Sequence, residues 1–132
     1  MKPIFVYGSL MPKHWNAHLW EEDAIAMPAT LDGFRLVSWH RNFPYAIPAE
    51  GERTKGYLVV CDPDAYAMIL QRLDRLEGVP HHYDRVSVLA NLDGEQVEAW
   101  VYTPNDPDEY ENDFRIPDND WDTFLATEPT TV

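Results

Sequence analysis

Glu77 is the residue whose type and place in the chain best suit moving a proton. It stands in LDRLEGVP, Leu73–Pro80, at the last turn of a segment patterned as an amphipathic helix, with Gly78 and Pro80 close behind it. A carboxylate there meets the unfavourable end of the helix dipole, so its placement needs a reason other than solvation. Near the start of the chain, VYGSL (Val6–Leu10) is an apolar β-run that closes in a Gly-Ser turn. Backbone N–H groups at such a turn can form a concave nest for an anion. A strand-end loop for a charged ligand, plus one glutamate where a helix stops, is the equipment of a small acid–base enzyme.

The other chemically able side chains have plainer readings. Asp74 lies one turn before Glu77 and reads as a structural hydrogen-bonding residue. Ser9 has no G-x-S-x-G elbow around it, so it supports the turn or touches a ligand rather than acting as a nucleophile. Tyr7, Tyr83 and Tyr102 fall on strand segments, where packing is the default role; Tyr83 follows the Glu77 loop directly and is the one expected to line a cavity. His14 and His18 are spaced to share a helix face, but no third ligand is identifiable, and no metal or other cofactor is expected. His81 and His82 belong to the loop after Glu77, and Cys61 reads as a small buried hydrophobe.

The elements that must position these groups are mostly strands. Pro3–Tyr7 reads as a buried strand ended by Gly8. His14–Glu22 has a weak helical pattern. Ala24–Trp39 reads as two strands broken at Asp32-Gly33, a hairpin dipeptide. Asn42–Pro48 is extended, Glu50–Thr54 supplies turn residues, and Lys55–Cys61 is a strong strand. A helix follows, with Asp62 as N-cap, Pro63 in its first position, Ala65, Ile69, Leu73 and Leu76 as its apolar stripe, and Gly78 just past its end. Tyr83–Asn91 and Val97–Thr103 flank Asp93-Gly94 as a hairpin. The order predicts an α+β domain whose mixed sheet curls into a small barrel with flanking helices.

With 132 residues, the chain is expected to form a single domain, 1–132, in which residues 105–132 are an acidic C-terminal extension. Trp121, Phe124 and Leu125 predict that this extension docks back through a short helix. The balance of 23 acidic to 10 basic residues, a net charge of −13, argues against nucleic-acid or membrane partners. A single cysteine excludes an internal disulfide. Met1-Lys2 runs straight into PIFVYG without a basic-then-apolar leader, so the expected setting is cytoplasmic. Oligomeric state is not encoded legibly.

Taken in order, VYGSL, NAHL (Asn16–Leu19), FPYAIP (Phe43–Pro48), KGYLVV (Lys55–Val60), LDRLEGVP, YDRVSV (Tyr83–Val88) and AWVY (Ala99–Tyr102) resemble the γ-glutamylcyclotransferase-like family, in particular its short AIG2-like, γ-glutamylamine-acting branch. The resemblance implies a small β-barrel around a cavity and an enzyme that releases 5-oxoproline from a γ-glutamyl amine or γ-glutamyl amino acid. It implies that Glu77 is the catalytic general acid/base and that Tyr7, Gly8, Ser9 and Leu10 bind the glutamyl end, with Tyr83 beside them. The alternative is a module that keeps the pocket to bind a small metabolite without turnover.

Overall fold

Ile4, Phe5 and Val6 are β-forming and fully buried, and as strand β1 (Ile4–Val6) they are paired along both edges in the computed structural model, which describes residues 1–38 and 43–127. Trp39 and Asn42, at the ends of two expected extended segments, lie outside the described residues, as do residues 128–132 of the acidic extension. The remaining elements are β2 (Ala24–Ser38), β3 (Tyr45–Cys61), α1 (Tyr66–Glu77), β4 (Tyr83–Leu92), β5 (Glu95–Pro104), β6 (Phe114–Arg115) and α2 (Trp121–Thr127).

Along one edge β1 pairs antiparallel with β3, Ile4 opposite Val59, and along the other it pairs parallel with β5, Ile4 opposite Trp100. The ladder continues from β5 to β4, then to β2, and β2 pairs with β3. The ladders therefore run in a ring. They are unequal: β2 and β4 meet only at Thr30–Asn91 and Leu31–Ala90, so the sheet is a loosely seamed ring rather than an evenly closed barrel. The α+β class holds. Ile69 and Leu73 of α1, with Trp121 and Phe124 of α2, join the strand residues in one apolar core. Among the described residues no helix is long and apolar enough to cross a membrane.

Several local expectations give way to tertiary context. Asp32-Gly33 is not a hairpin: β2 continues through it, still paired with β3. The register passes from Asp32–Arg53 to Phe34–Pro48, which leaves residues 49–52 of β3 opposite Gly33, and the turn-forming residues there are spent on this bulge. His14–Glu22 forms only a 3₁₀ turn, Ala17–Leu19. Its chain folds back on the Gly-Ser turn instead, with Asn16 N–H donating to Ser9 O at 3.1 Å. Trp20 is buried here, its Nε1 donating to Leu10 O at 2.8 Å, and Trp15 is exposed. Helix α1 starts at Tyr66 without a side-chain cap; Asp62 contributes its carbonyl to a preceding turn, accepting from Ala65 N–H at 3.0 Å. Leu76 leaves the stripe and is exposed.

Two turn predictions hold. Gly78 is left-handed, φ +68°, and its N–H reaches Arg75 O at 3.2 Å. Asp93 and Gly94, both at positive φ, join β4 to β5 with Leu92 opposite Glu95.

Candidate active site

Every residue singled out for a site from the sequence lines one cavity of about 870 Å³: Glu77, Tyr7, Gly8, Ser9, Leu10 and Tyr83. They arrive from three directions. β1, paired between β3 and β5, delivers Tyr7–Leu10, α1 ends in Glu77, and β4 begins at Tyr83. His81 and His82, between the last two, lie at the same cavity.

The Gly-Ser turn is held from below. Met11 N–H donates to Gly8 O at 2.9 Å, and Asn16 clasps Ser9 twice, through its backbone N–H to Ser9 O and its Nδ2 to Ser9 Oγ at 2.8 Å. Among the described residues, the N–H groups of Ser9 and Leu10 donate to no protein acceptor, which leaves them for a ligand. Gly8 does not adopt a left-handed conformation. Glycine is required there because a Cβ would lie 2.9 Å from Pro44 Cγ, in the FPYAIP segment.

Glu77 is fixed by what precedes it. One turn back, Asp74 accepts from Arg85 Nε at 2.9 Å and from the Tyr102 hydroxyl at 2.7 Å. This network ties the end of α1 to β4 and β5 and gives Asp74 the structural role expected of it. Glu77 itself makes no hydrogen bond within the described residues, and burial pushes its carboxyl up to about 7. At neutral pH it exists in both protonation states. Tyr7, also buried, is pushed up by desolvation first and by the Glu77 charge second; its phenol stays protonated and donates to Tyr102 O at 2.6 Å. Tyr83 is likewise raised, by burial first and then by Tyr7, Glu77, Tyr45 and Tyr110.

The two histidines spaced for a shared face point their nitrogens apart. His14 Nε2 meets Asp122 Oδ1 at 2.5 Å, whereas His18 Nδ1 meets Trp15 O at 2.8 Å. Among the described residues no group of three His, Cys, Asp or Glu side chains is arranged to hold a metal.

Sequence reasoning missed part of the lining. Asn16, Tyr45 and Tyr110 all face the cavity. Asn16 and Tyr45 sat inside noted segments, NAHL and FPYAIP, without a role. Tyr110 sits in the acidic stretch, where nothing in the local pattern marks it. That stretch is fastened to the loop after Glu77: Asn105 N–H donates to His82 O at 3.1 Å and its Nδ2 to Pro80 O at 2.8 Å.

Comparison with known proteins bears on the family and the fold. A Methanocaldococcus jannaschii protein named "Putative gamma-glutamylcyclotransferase" is 32% identical over 103 residues, 77% of this chain and 83% of that one. The crystal structure of a mouse AIG2-like protein superposes with a TM-score of 0.69 at 25% identity, covering 87% of this chain and 85% of that one. An uncharacterized Pyrococcus horikoshii protein shares the fold, with a TM-score of 0.70 at 19% identity over 96% and 94% of the two chains. Residues 4–123 match the family described as gamma-glutamyl cyclotransferase, AIG2-like. With that span of the chain matched, this protein belongs to the gamma-glutamyl cyclotransferase, AIG2-like family.

Proposed function

We propose that the chain releases 5-oxoproline from a γ-glutamyl amine or γ-glutamyl amino acid, with Glu77 carrying the proton. The observation that supports this most is Glu77's partly buried carboxyl, raised to about 7 by desolvation, on the same cavity as the Gly8-Ser9 turn. A pure binder of an anionic ligand gains nothing from an extra desolvated carboxylate.

The reaction is intramolecular. The substrate's ammonium first yields one proton to solvent. Its freed α-amine then attacks the γ-carbonyl carbon, forming the ring C–N bond, while Glu77 takes a second proton from that nitrogen. The tetrahedral centre collapses, the bond to the departing nitrogen breaks, and Glu77 returns its proton there; solvent supplies the last proton to the released amine. Nucleophile and electrophile are already joined, so geometry supplies on the order of 7 kcal/mol or more of the barrier reduction. The protein's part is to fold the glutamyl chain back and shuttle one proton, which suits a carboxyl poised near the working pH. The free N–H groups of Ser9 and Leu10 suit the substrate's α-carboxylate.

Replacing Glu77 by Gln tests this. The amide is nearly isosteric but cannot accept a proton, so 5-oxoproline release should fall by roughly 10²-fold or more with substrate binding retained. Near-normal turnover in Glu77→Gln would remove Glu77 from the mechanism.

A further inference from the structure

Among the described residues His14, His81 and His82 line the cavity with Glu77, and of these His14 has its ring fixed by a carboxylate. Its Nε2 meets Asp122 Oδ1 at 2.5 Å, whereas the rings of His81 and His82 make no hydrogen bond among the described residues. Both partners of the pair are firmly mounted. His14 belongs to the loop that returns to the Gly-Ser turn, its N–H donating to Met11 O at 3.1 Å and its carbonyl accepting from Ala17 N–H at 3.1 Å. Asp122 stands in the first turn of α2, between the buried Trp121 and Phe124. Asp120 steadies that turn by accepting from Thr123 N–H at 3.1 Å. A carboxylate only accepts, so His14 Nε2 carries the ring hydrogen and Nδ1 keeps its lone pair, with no protein partner among the described residues. Trp121 and Phe124 already seat α2 in the apolar core, so the pair is not needed as a fastening.

The proposed cyclisation removes two protons from the substrate's nitrogen, and Glu77 takes one of them. That nitrogen is bonded to the same carbon as the α-carboxylate. A carboxylate seated on the Ser9 and Leu10 N–H groups therefore brings the ammonium to the loop that carries His14. Resting on that cyclisation, we infer that His14 is a second catalytic base, whose Nδ1 takes the ammonium's first proton in place of solvent, and that Asp122 is its positioning residue. Asp122 holds the ring in the accepting tautomer and stabilises the imidazolium that forms. The freed amine then forms the ring C–N bond as Glu77 takes its second proton, and the bond to the departing nitrogen breaks as Glu77 returns it. The imidazolium passes its proton to solvent, and solvent supplies the last proton of the released amine, so the proton count is unchanged.

The test measures 5-oxoproline release from γ-glutamylphenethylamine and γ-glutamylphenylalanine by His14→Gln, whose amide can still donate to Asp122 but cannot accept a proton. Its kcat/KM should be about tenfold below that of the unmodified protein at pH 7, a modest loss for a base because solvent also accepts this proton. The deficit should shrink to less than about twofold at pH 9.5, above the usual range of an α-amino group, where the ammonium loses that proton unaided. Glu77→Gln should stay impaired at both pH values, which tells the two proton carriers apart. Imidazole added to His14→Ala should restore part of its turnover, and Asp122→Asn should show the same pH-dependent deficit in milder form. A deficit that is constant with pH and not relieved by imidazole would overturn the inference and leave the pair a fastening of α2. If the unmodified protein releases no 5-oxoproline from either compound, the cyclisation reading falls and takes the second base with it; release that His14→Gln leaves intact at pH 7 sinks the second base alone.

Discussion

The Tyr102 hydroxyl donates to Asp74 Oδ1 at 2.7 Å, joining the last strand of the central hairpin to the helical turn that ends at Glu77. Arg85 reaches the same carboxylate, so the proposed proton carrier is positioned through a neighbour that does no chemistry. Its orientation depends on β4 and β5 as well as on α1.

Removing one strut should therefore be felt at a distance. Tyr102→Phe keeps the ring and loses the bond to Asp74, for a stability cost of about 1 kcal/mol. Turnover should drop several-fold while the pH midpoint of the rate stays in place, since Glu77's own surroundings are retained. Urea denaturation and steady-state kinetics check this together; unchanged values in both would mean that Arg85 alone holds the turn.

The pH profile follows from the raised carboxyl. If Glu77 acts as the base, kcat/KM should rise as pH climbs through about 7, because only the deprotonated form accepts the amine's proton. A rate that is flat between pH 5.5 and 8.5, or that falls across this range, would contradict it.

Stability should run the opposite way. Glu77's carboxyl titrates near 4.5 in an open chain and near 7 in the fold, so the folded state binds more protons between those values. The sign is fixed by linkage: stability is lost as pH rises from about 4.5 and levels off above about 7. Glu77→Gln has no charge to bury. Its advantage over the unmodified protein should be absent at pH 4 and reach up to roughly 3 kcal/mol at pH 8, with denaturation at the two pH values as the measurement. Greater stability with lost turnover is the pattern expected of a group retained for its chemistry.

At the Gly-Ser turn, two substitutions should separate backbone from side chain. Gly8→Val places carbon against Pro44 and should raise KM strongly, with some loss of thermal stability. Ser9→Ala loses the Oγ partner of Asn16, worth about 1 kcal/mol, but keeps the N–H groups. Its KM should change little. Loss of turnover in Ser9→Ala with binding intact would give the hydroxyl a chemical role.

The parts legible in the sequence were those fixed locally. Gly78 and Asp93-Gly94 take positive φ in the described turns, and glycine's low cost there marks both. Glu77 stood out because it sits badly on its helix end. What could not be read was set by distant partners. Asp32-Gly33 has the chemistry of a turn, yet β3 keeps pairing past it, since the long antiparallel ladder outweighs a local preference. His14–Glu22 has helical spacing, but Asn16's bonds to Ser9 bend it back. Tyr110 reaches the cavity stacked on Tyr45, in a stretch that Asn105 fastens to His82 and Pro80, connections between segments more than twenty positions apart that no periodicity records.

The place of β1 between β3 and β5 also bears on how the protein is made. Strand β1 is synthesised before either of the strands it pairs with, the second of them finishing at Pro104. Until then Ile4, Phe5 and Val6 have at most one partner edge, and the turn that follows them has no stable mount. Completing the ring thus waits on pairings distant in sequence, a high-contact-order arrangement that favours slow folding and exposes an apolar strand until its partners are made.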